Sequence, residues 1–389
     1  MPDVNQIYAV VNKMAEQSLG MTGLTETDTS FIAVGKKVFE SDTNKEAFYK
    51  VLTDVIGRTV VAVRPYNPND KTLKREPFEM GAILQKISFK QPKAVENPTW
   101  YALTQAAAPL NTKYPLTIQQ MLFSDLSTWE VPLSIPDIQL KTAFHNAENM
   151  AAFYAGEFTV AQNSLNTAYE NMGNLARASF MGACLLSGTA TQTVNLLEGY
   201  NTLNSTTLTV TQALRNKDFL LYSAEQIKNY SDFMESNSVT FNASAWERHT
   251  PKDKQVIEVL AHFASAIDMN LQSSVFHNEI TKLPYYQKMN YWQGSGTGWK
   301  FEDASSINVS VEIPDTTEGA AEDATKMQSF AQGGIVACIR DIDSVGITID
   351  NRRTKSFYDP HNELTNYWHK ADINYFRDMS ENGVVFYMA

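Results

Sequence analysis

The placement of proline constrains this chain more than any other feature. Of its fourteen prolines, ten fall between Pro2 and Pro136, and none follows until Pro251. Proline fixes φ and lacks the amide hydrogen that an interior helical turn needs. The proline-free interval is therefore where extended helix is permitted, and the first third is expected to hold arms, strands and turns. Within the interval, Phe158, Ala161, Leu165, Ala168, Met172, Leu175, Ser179, Gly182 and Leu186 recur at alternating steps of three and four. That spacing predicts a helix from Glu157 to Leu186 with one apolar stripe, a rod of roughly 45 Å at about 1.5 Å per residue. Ala161, Ala168 and Gly182 make the stripe small enough for other backbone to approach closely.

Upstream, Arg58–Tyr66 is rich in valine, and Gly81–Gln91 alternates Ile87 and Phe89 with Lys86, Ser88 and Lys90, so both segments predict strands. Pro65, Asn67, Pro68, Asn69, Asp70 and Pro77 lie between them and forbid regular structure, which makes a long hairpin with a wide tip. Lys50–Val95 holds nine basic residues against four acidic ones, a net charge of +5, leaving −16 for the rest of a chain whose total is −11. A basic projection on an acidic body suits docking onto another copy of that body; ordinary charge scatter on a solvated hairpin is the alternative. Met1–Lys50 is expected to be an arm with short helices, Ser41 and Asp42 capping a segment that carries Ala47, Phe48, Val51 and Leu52. Further on, Thr250 suits an N-cap with Pro251 in the first helical position. Val256, Leu260, Phe263, Ile267, Leu271 and Val275 then predict a second helix, closed by Pro284. Gly333–Ile349 and Val384–Tyr387 have strand character.

A chain of 389 residues exceeds what one hydrophobic core usually serves, so two lobes are expected. With 43% hydrophobic and 19% charged residues it should be ordered. No run of like charges supplies the basic stripe of a sequence-specific nucleic-acid reader. Cys184 and Cys338 stand far apart and without a third partner, which predicts buried thiols. Met1–Gly20 has no apolar run, so no export signal is expected, and nothing approaches the roughly 20 apolar residues of a membrane helix.

The chemistry-bearing residues form no motif. His145, His249, His262, His277, His361 and His369 include no HExxH pair, and no CxxC occurs. Gly294, Gly296 and Gly298 are spaced GxGxG rather than as a dinucleotide loop, and no phosphate loop or nucleophile elbow is present. Asp341 and Asp343 begin like a calcium loop, but Val345 takes the place of the next oxygen ligand. Neither a catalytic residue nor a metal or cofactor site is expected, and an enzyme with a scattered site is the rival reading.

Six segments resemble the major capsid proteins of small podoviruses, the phi29-like and picovirus-like phages. They are EPFEMGAILQK from Glu76 to Lys86, DKQV from Asp253 to Val256, VFHNEI from Val275 to Ile280, YWQGSG from Tyr291 to Gly296, NYWHKA from Asn366 to Ala371, and SENGVVF from Ser380 to Phe386. The resemblance implies an α+β chain with the HK97-like capsid fold. Its parts would be an N-terminal arm (1–55), an extended E-loop hairpin (56–97), a peripheral domain around the spine helix (98–187 and 355–389) and an axial domain (188–354). It further implies a virion protein, assembled in the host bacterial cytoplasm, whose copies form pentamers and hexamers of an icosahedral shell around double-stranded DNA. Arg64, Lys71, Lys74, Arg75, Phe78 and Lys86 of the E-loop would contact the neighbouring copy. A separate scaffolding protein and a portal would be partners, contact with packaged DNA would be non-specific, and no membrane would be involved. Two departures from the family are expected: no immunoglobulin-like domain after Phe386, as some phi29-like relatives carry, and no long scaffolding segment before residue 58. A cellular compartment shell of the encapsulin type is the alternative within the same fold.

Overall fold

The computed structural model describes residues 4–22, 24, 28–41, 43–44, 47, 73, 84–94, 113, 115–123, 127–138, 147–272, 286–293, 300–314 and 325–389. The chain forms two compact units, each assembled from three stretches of sequence. The first comprises Met1–Lys71, Leu126–Met172 and Thr348–Asn374, and the second Thr72–Asp125, Gly173–Ile347 and Tyr375–Ala389.

The first unit contains helices α1 (Val4–Leu19) and α2 (Asp28–Val38). Val11, Met14 and Ala15 on α1, and Val34 and Val38 on α2, are buried at the three- and four-residue spacing of one helix face. Ser41 caps as expected, its Oγ accepting from the Asn44 amide at 3.2 Å; Phe48, Val51 and Leu52 lie outside the described residues. A three-stranded antiparallel sheet is built from β3 (Ser127–Pro136) and from β10 (Val345–Asp359) and β11 (Leu364–Arg377), in the order β10-β11-β3. Thr365, Tyr367, His369, Ala371 and Ile373 alternate inward along β11. Arg353 grips Asp372 at 2.6 and 3.1 Å, and Thr128 donates to the same carboxylate at 2.7 Å.

The expected spine helix forms as α3 (Ala147–Ser187), 41 residues long; residues 147–172 belong to the first unit and 173–187 to the second. Its buried line differs from the expected stripe. Ala161, Leu165 and Tyr169, then Ala176, Phe180 and Cys184, are buried, whereas Ala168, Met172 and Leu175 are half-buried. Strict alternation of three and four averages about 3.5 residues per turn, and against a straight helix it rotates by about 20° per heptad. The expected stripe is buried at Ala161, Leu165 and Gly182 and only half-buried between Leu165 and Gly182.

The second unit is centred on a five-stranded sheet of order β4-β12-β9-β5-β6, made of β4 (Thr193–Asn195), β5 (Gln255–Leu260), β6 (Gln287–Met289), β9 (Ile335–Asp341) and β12 (Gly383–Tyr387). Both strands expected at the chain's end are present here, and every residue of β9 is buried. Helices α4 (Leu196–Asn204), α5 (Lys217–Glu235) and α6 (Ala261–Gln272) belong to this unit. Asn195 caps α4 by accepting from Glu198, and Asn216 caps α5 by accepting from Asp218 and Phe219. A two-stranded ribbon of β7 (Ile307–Pro314) and β8 (Thr325–Gln332) lies on α3 at Gly182, where an added Cβ would stand 2.7 Å from Val309. The small residue read from the stripe serves close packing there. Cys184 and Cys338 are fully buried; burial pushes the Cys184 thiol up to about 12, against the pull of Arg377.

The second helix is corrected. Pro251 opens a single 3₁₀ turn (Lys252–Lys254), the chain then runs as β5, and helix begins only at Ala261. Thr250 donates its hydroxyl to Asp341 at 2.9 Å instead of capping a helix. Val256–Leu260 is buried on both sides, so it lacks the polar alternation that marks a half-exposed strand, and its spacing fits either period. His262 is exposed on α6, and His277 lies outside the described residues.

Candidate assembly surface

In the second unit, β1 (Leu84–Phe89) pairs antiparallel with β2 (Ile118–Phe123), with Phe89 opposite Ile118, Ile87 opposite Gln120 and Lys86 opposite Met121. The strand read at Gly81–Gln91 is therefore present. Its partner among the described residues is β2, while Arg58–Tyr66 lies outside them. Because side chains alternate across a strand, the ribbon has two chemically different faces.

One face is tied down. Lys86 pairs with Asp378 and, at 2.6 Å, with Glu381, and donates to the Asp343 carbonyl at 3.4 Å. Arg248 reaches the same Glu381 at 2.5 Å. Burial alone would draw the Lys86 ammonium down, but the two carboxylates outweigh it and hold it above the ordinary lysine value. Phe123 sits against Phe376 with ring centroids 5.1 Å apart.

The opposite face is apolar and open. Ile87 is 51% exposed, Phe89 61% and Ile118 58%, with Leu116 at 57% just before β2. Singly exposed apolar residues are ordinary, but four on one short ribbon form a patch. Gln85 and Gln120 are the polar members of this face, and no charged side chain of β1 or β2 belongs to it.

Of the six interface residues expected from sequence, Arg64, Lys71, Lys74, Arg75 and Phe78 lie outside the described residues. Lys86 occupies the inward face, bound to its own chain. Leu73, within the expected hairpin tip, is 2% exposed, and its carbonyl accepts from the Ile347 amide at 2.8 Å. That point of the tip is anchored in its own unit. Sequence reasoning missed Leu116, Ile118, Asp378 and Glu381. The alternation of Ile118–Phe123 was a usable signal for β2; nothing in sequence ties Lys86 to carboxylates some 290 positions away.

Among the described residues no group of three or more His, Cys, Asp and Glu is placed to hold a metal, and no helix is long and apolar enough to cross a membrane. The 41-residue helix, a three-stranded sheet and a five-stranded sheet make an α+β fold that matches phage capsid structures of the HK97-like type. Staphylococcus phage Andhra's capsid structure matches it at a TM-score of 0.55 with 10% identity, covering 84% of this chain and 85% of that one. The structure of the head fiber and inner core protein gp22 of native bacteriophage P68 matches at 0.56, also at 10% identity, covering 84% and 86%. No curated protein matches in sequence. The family model of the Phi29-like phage major capsid protein spans residues 11–387, and the chain belongs to that family. It is a structural shell protein of the virion.

Proposed function

We propose that copies of this chain associate as pentamers and hexamers into an icosahedral head around double-stranded DNA, with the open face of the β1–β2 ribbon seated on a neighbouring copy. The arm, E-loop, peripheral and axial parts would have the limits 1–55, 56–97, 98–187 with 355–389, and 188–354. The observation that carries the contact is the ribbon's asymmetry: an ion cluster fixes one face while Ile87, Phe89 and Ile118 are left to solvent on the other. Apolar burial there supplies affinity, and the basic residues Arg64, Lys71, Lys74 and Arg75 steer the approach to an acidic body. Partners in assembly are a separate scaffolding protein and a portal, contact with DNA is non-specific, and no catalysis is involved.

Phe89→Asp combined with Ile118→Asp tests the contact. Both sites are more than half exposed, so the monomer should keep its circular dichroism and melting behaviour. Light scattering and negative-stain microscopy should show shell formation abolished. Closed shells at the parental yield would remove the ribbon from the interface.

A further inference from the structure

The segment SENGVVF contains the chain's single Asn-Gly pair, Asn382–Gly383. Asparagine followed by glycine is the dipeptide most prone to deamidation, because no side chain hinders the following nitrogen from reaching the asparagine carboxamide. Packing accounts for both residues here. A Cβ on Gly383 would lie 2.5 Å from Phe180 Cζ, so only glycine fits. Asn382, 1% exposed, donates from Nδ2 to Thr250 Oγ1 at 3.2 Å and accepts at Oδ1 from Asn242 at 3.2 Å, while its carbonyl accepts from the Asp341 amide at 2.9 Å. The nitrogen that would attack, that of Gly383, donates to the Phe241 carbonyl at 2.9 Å. Ring closure in the native chain would have to break this bond and both side-chain bonds inside a buried site.

We propose that Asn382–Gly383 is a spontaneous deamidation site that the fold keeps closed, so that the reaction proceeds on chains that have not folded and then bars them from the native structure. In the open chain the Gly383 nitrogen bonds to Asn382 Cγ, the Cγ–Nδ2 bond breaks, and ammonia leaves with the displaced proton. Water then opens the succinimide at either carbonyl, giving aspartate or isoaspartate at 382. Either product is wrong for the site. Thr250 Oγ1 already donates to Asp341 at 2.9 Å, so a carboxylate at 382 would lose its partner on Thr250 and face a second carboxylate across it. Isoaspartate would also lengthen the backbone at the start of β12.

The full chain is incubated at mildly alkaline pH, folded in buffer and unfolded in urea, and residue 382 is followed by peptide mass spectrometry with isoaspartate detection. Folded protein should react more slowly by roughly a thousandfold or more, the ratio set by the fraction of chains open at any moment. On removal of urea, product at 382 should be absent from the refolded pool and concentrated in the aggregate. Equal rates in the two states, or product refolding in proportion, would overturn the proposal. Asn382→Asp should fail to fold, and adding Asp341→Asn should restore part of the folded yield by leaving one carboxylate on Thr250. A single variant that melts like the parent, or a double variant no better than the single, would sink the charge argument.

Discussion

Two ion clusters in the second unit look alike on paper and differ in what they hold. Arg177 and Arg340 both reach Glu258 Oε1 at 2.9 Å, and all three side chains are fully buried. Around Lys86 the pairing is as dense, but the lysine keeps 21% of its side chain exposed and Glu381 13%. The first cluster joins α3 to two central strands; the second ties down one face of a two-stranded ribbon. A sealed cluster gains its attraction in a low-dielectric site after full desolvation, so it is intolerant of losing one member. A cluster open to water is weaker and adjustable. The sealed triad therefore belongs to the fold, and the open one governs how firmly the ribbon carrying the candidate assembly face is held.

Glu258→Gln should show the largest effect. Removing the anion that both buried guanidiniums contact is expected to cost about 3–5 kcal/mol, a large share of the about 5–15 kcal/mol that usually holds a domain. Urea unfolding followed by circular dichroism would measure it; a midpoint within error of the parent would show that the triad contributes little.

The clusters should also separate by pH. Burial disfavours the Glu258 charge, but Arg177 and Arg340 outweigh it and hold the carboxyl below its ordinary value. Its stability is thus present above the unfolded value of about 4.3 and is lost as pH falls through the lower folded value. Lys86 has the opposite sign: its folded value is raised, so its contribution is complete below about 10.4 and is lost as pH climbs through the folded value. Acid should loosen the core, and strong alkali the ribbon. Hydrogen exchange at β9 and β1 across pH, corrected for intrinsic rates, would test this order.

Next in size, Lys86→Met keeps the aliphatic stem and removes the charge. A partly exposed charge-assisted pairing suggests a loss of about 1–2 kcal/mol, and it should appear as faster exchange in β1 and β2 with little change in β9. Uniform acceleration throughout the second unit would mean that the cluster supports the fold as a whole.

What sequence disclosed follows this same division. The proline-free interval located α3, and β-branched runs located β9 and β12, because each signal is local. The triad joins positions 81 and 82 residues apart, and Glu258 sits in an apolar run where its charge gave no hint of two buried partners. That run fits both periods, so sequence alone reads β5 as the start of a helix. Lys86 was legible as a strand residue, but its face was not: an alternating strand shows that two faces differ without showing which one is covered. Exposed Ile87 and Phe89 beside inward-facing Lys86 invert the usual expectation that apolar side chains turn inward, a local conflict between pattern and burial.

Salt should produce the smallest effect and give the sharpest contrast. Exposed charges are screened over about 10 Å at 0.1 M salt and about 3 Å at 1 M, whereas a pair sealed from solvent is hardly affected. Raising sodium chloride across that range should leave Glu258 and its two arginines unchanged, and exchange in β9 with them. The Lys86 cluster, open at the lysine and at Glu381, should weaken by a few tenths of a kcal/mol, within the about 0–1 kcal/mol range of solvent-exposed pairs. Exchange at the Ser88 and Gln119 amides, which alternation places in the ladder, should then rise modestly in the parent and not at all in Lys86→Met, whose latch is already gone. That second arm matters because salt also strengthens apolar burial, which would slow exchange in both proteins alike. A salt response of equal size in parent and variant would place its origin outside the cluster, and the distinction between a sealed core triad and an adjustable ribbon latch would fail.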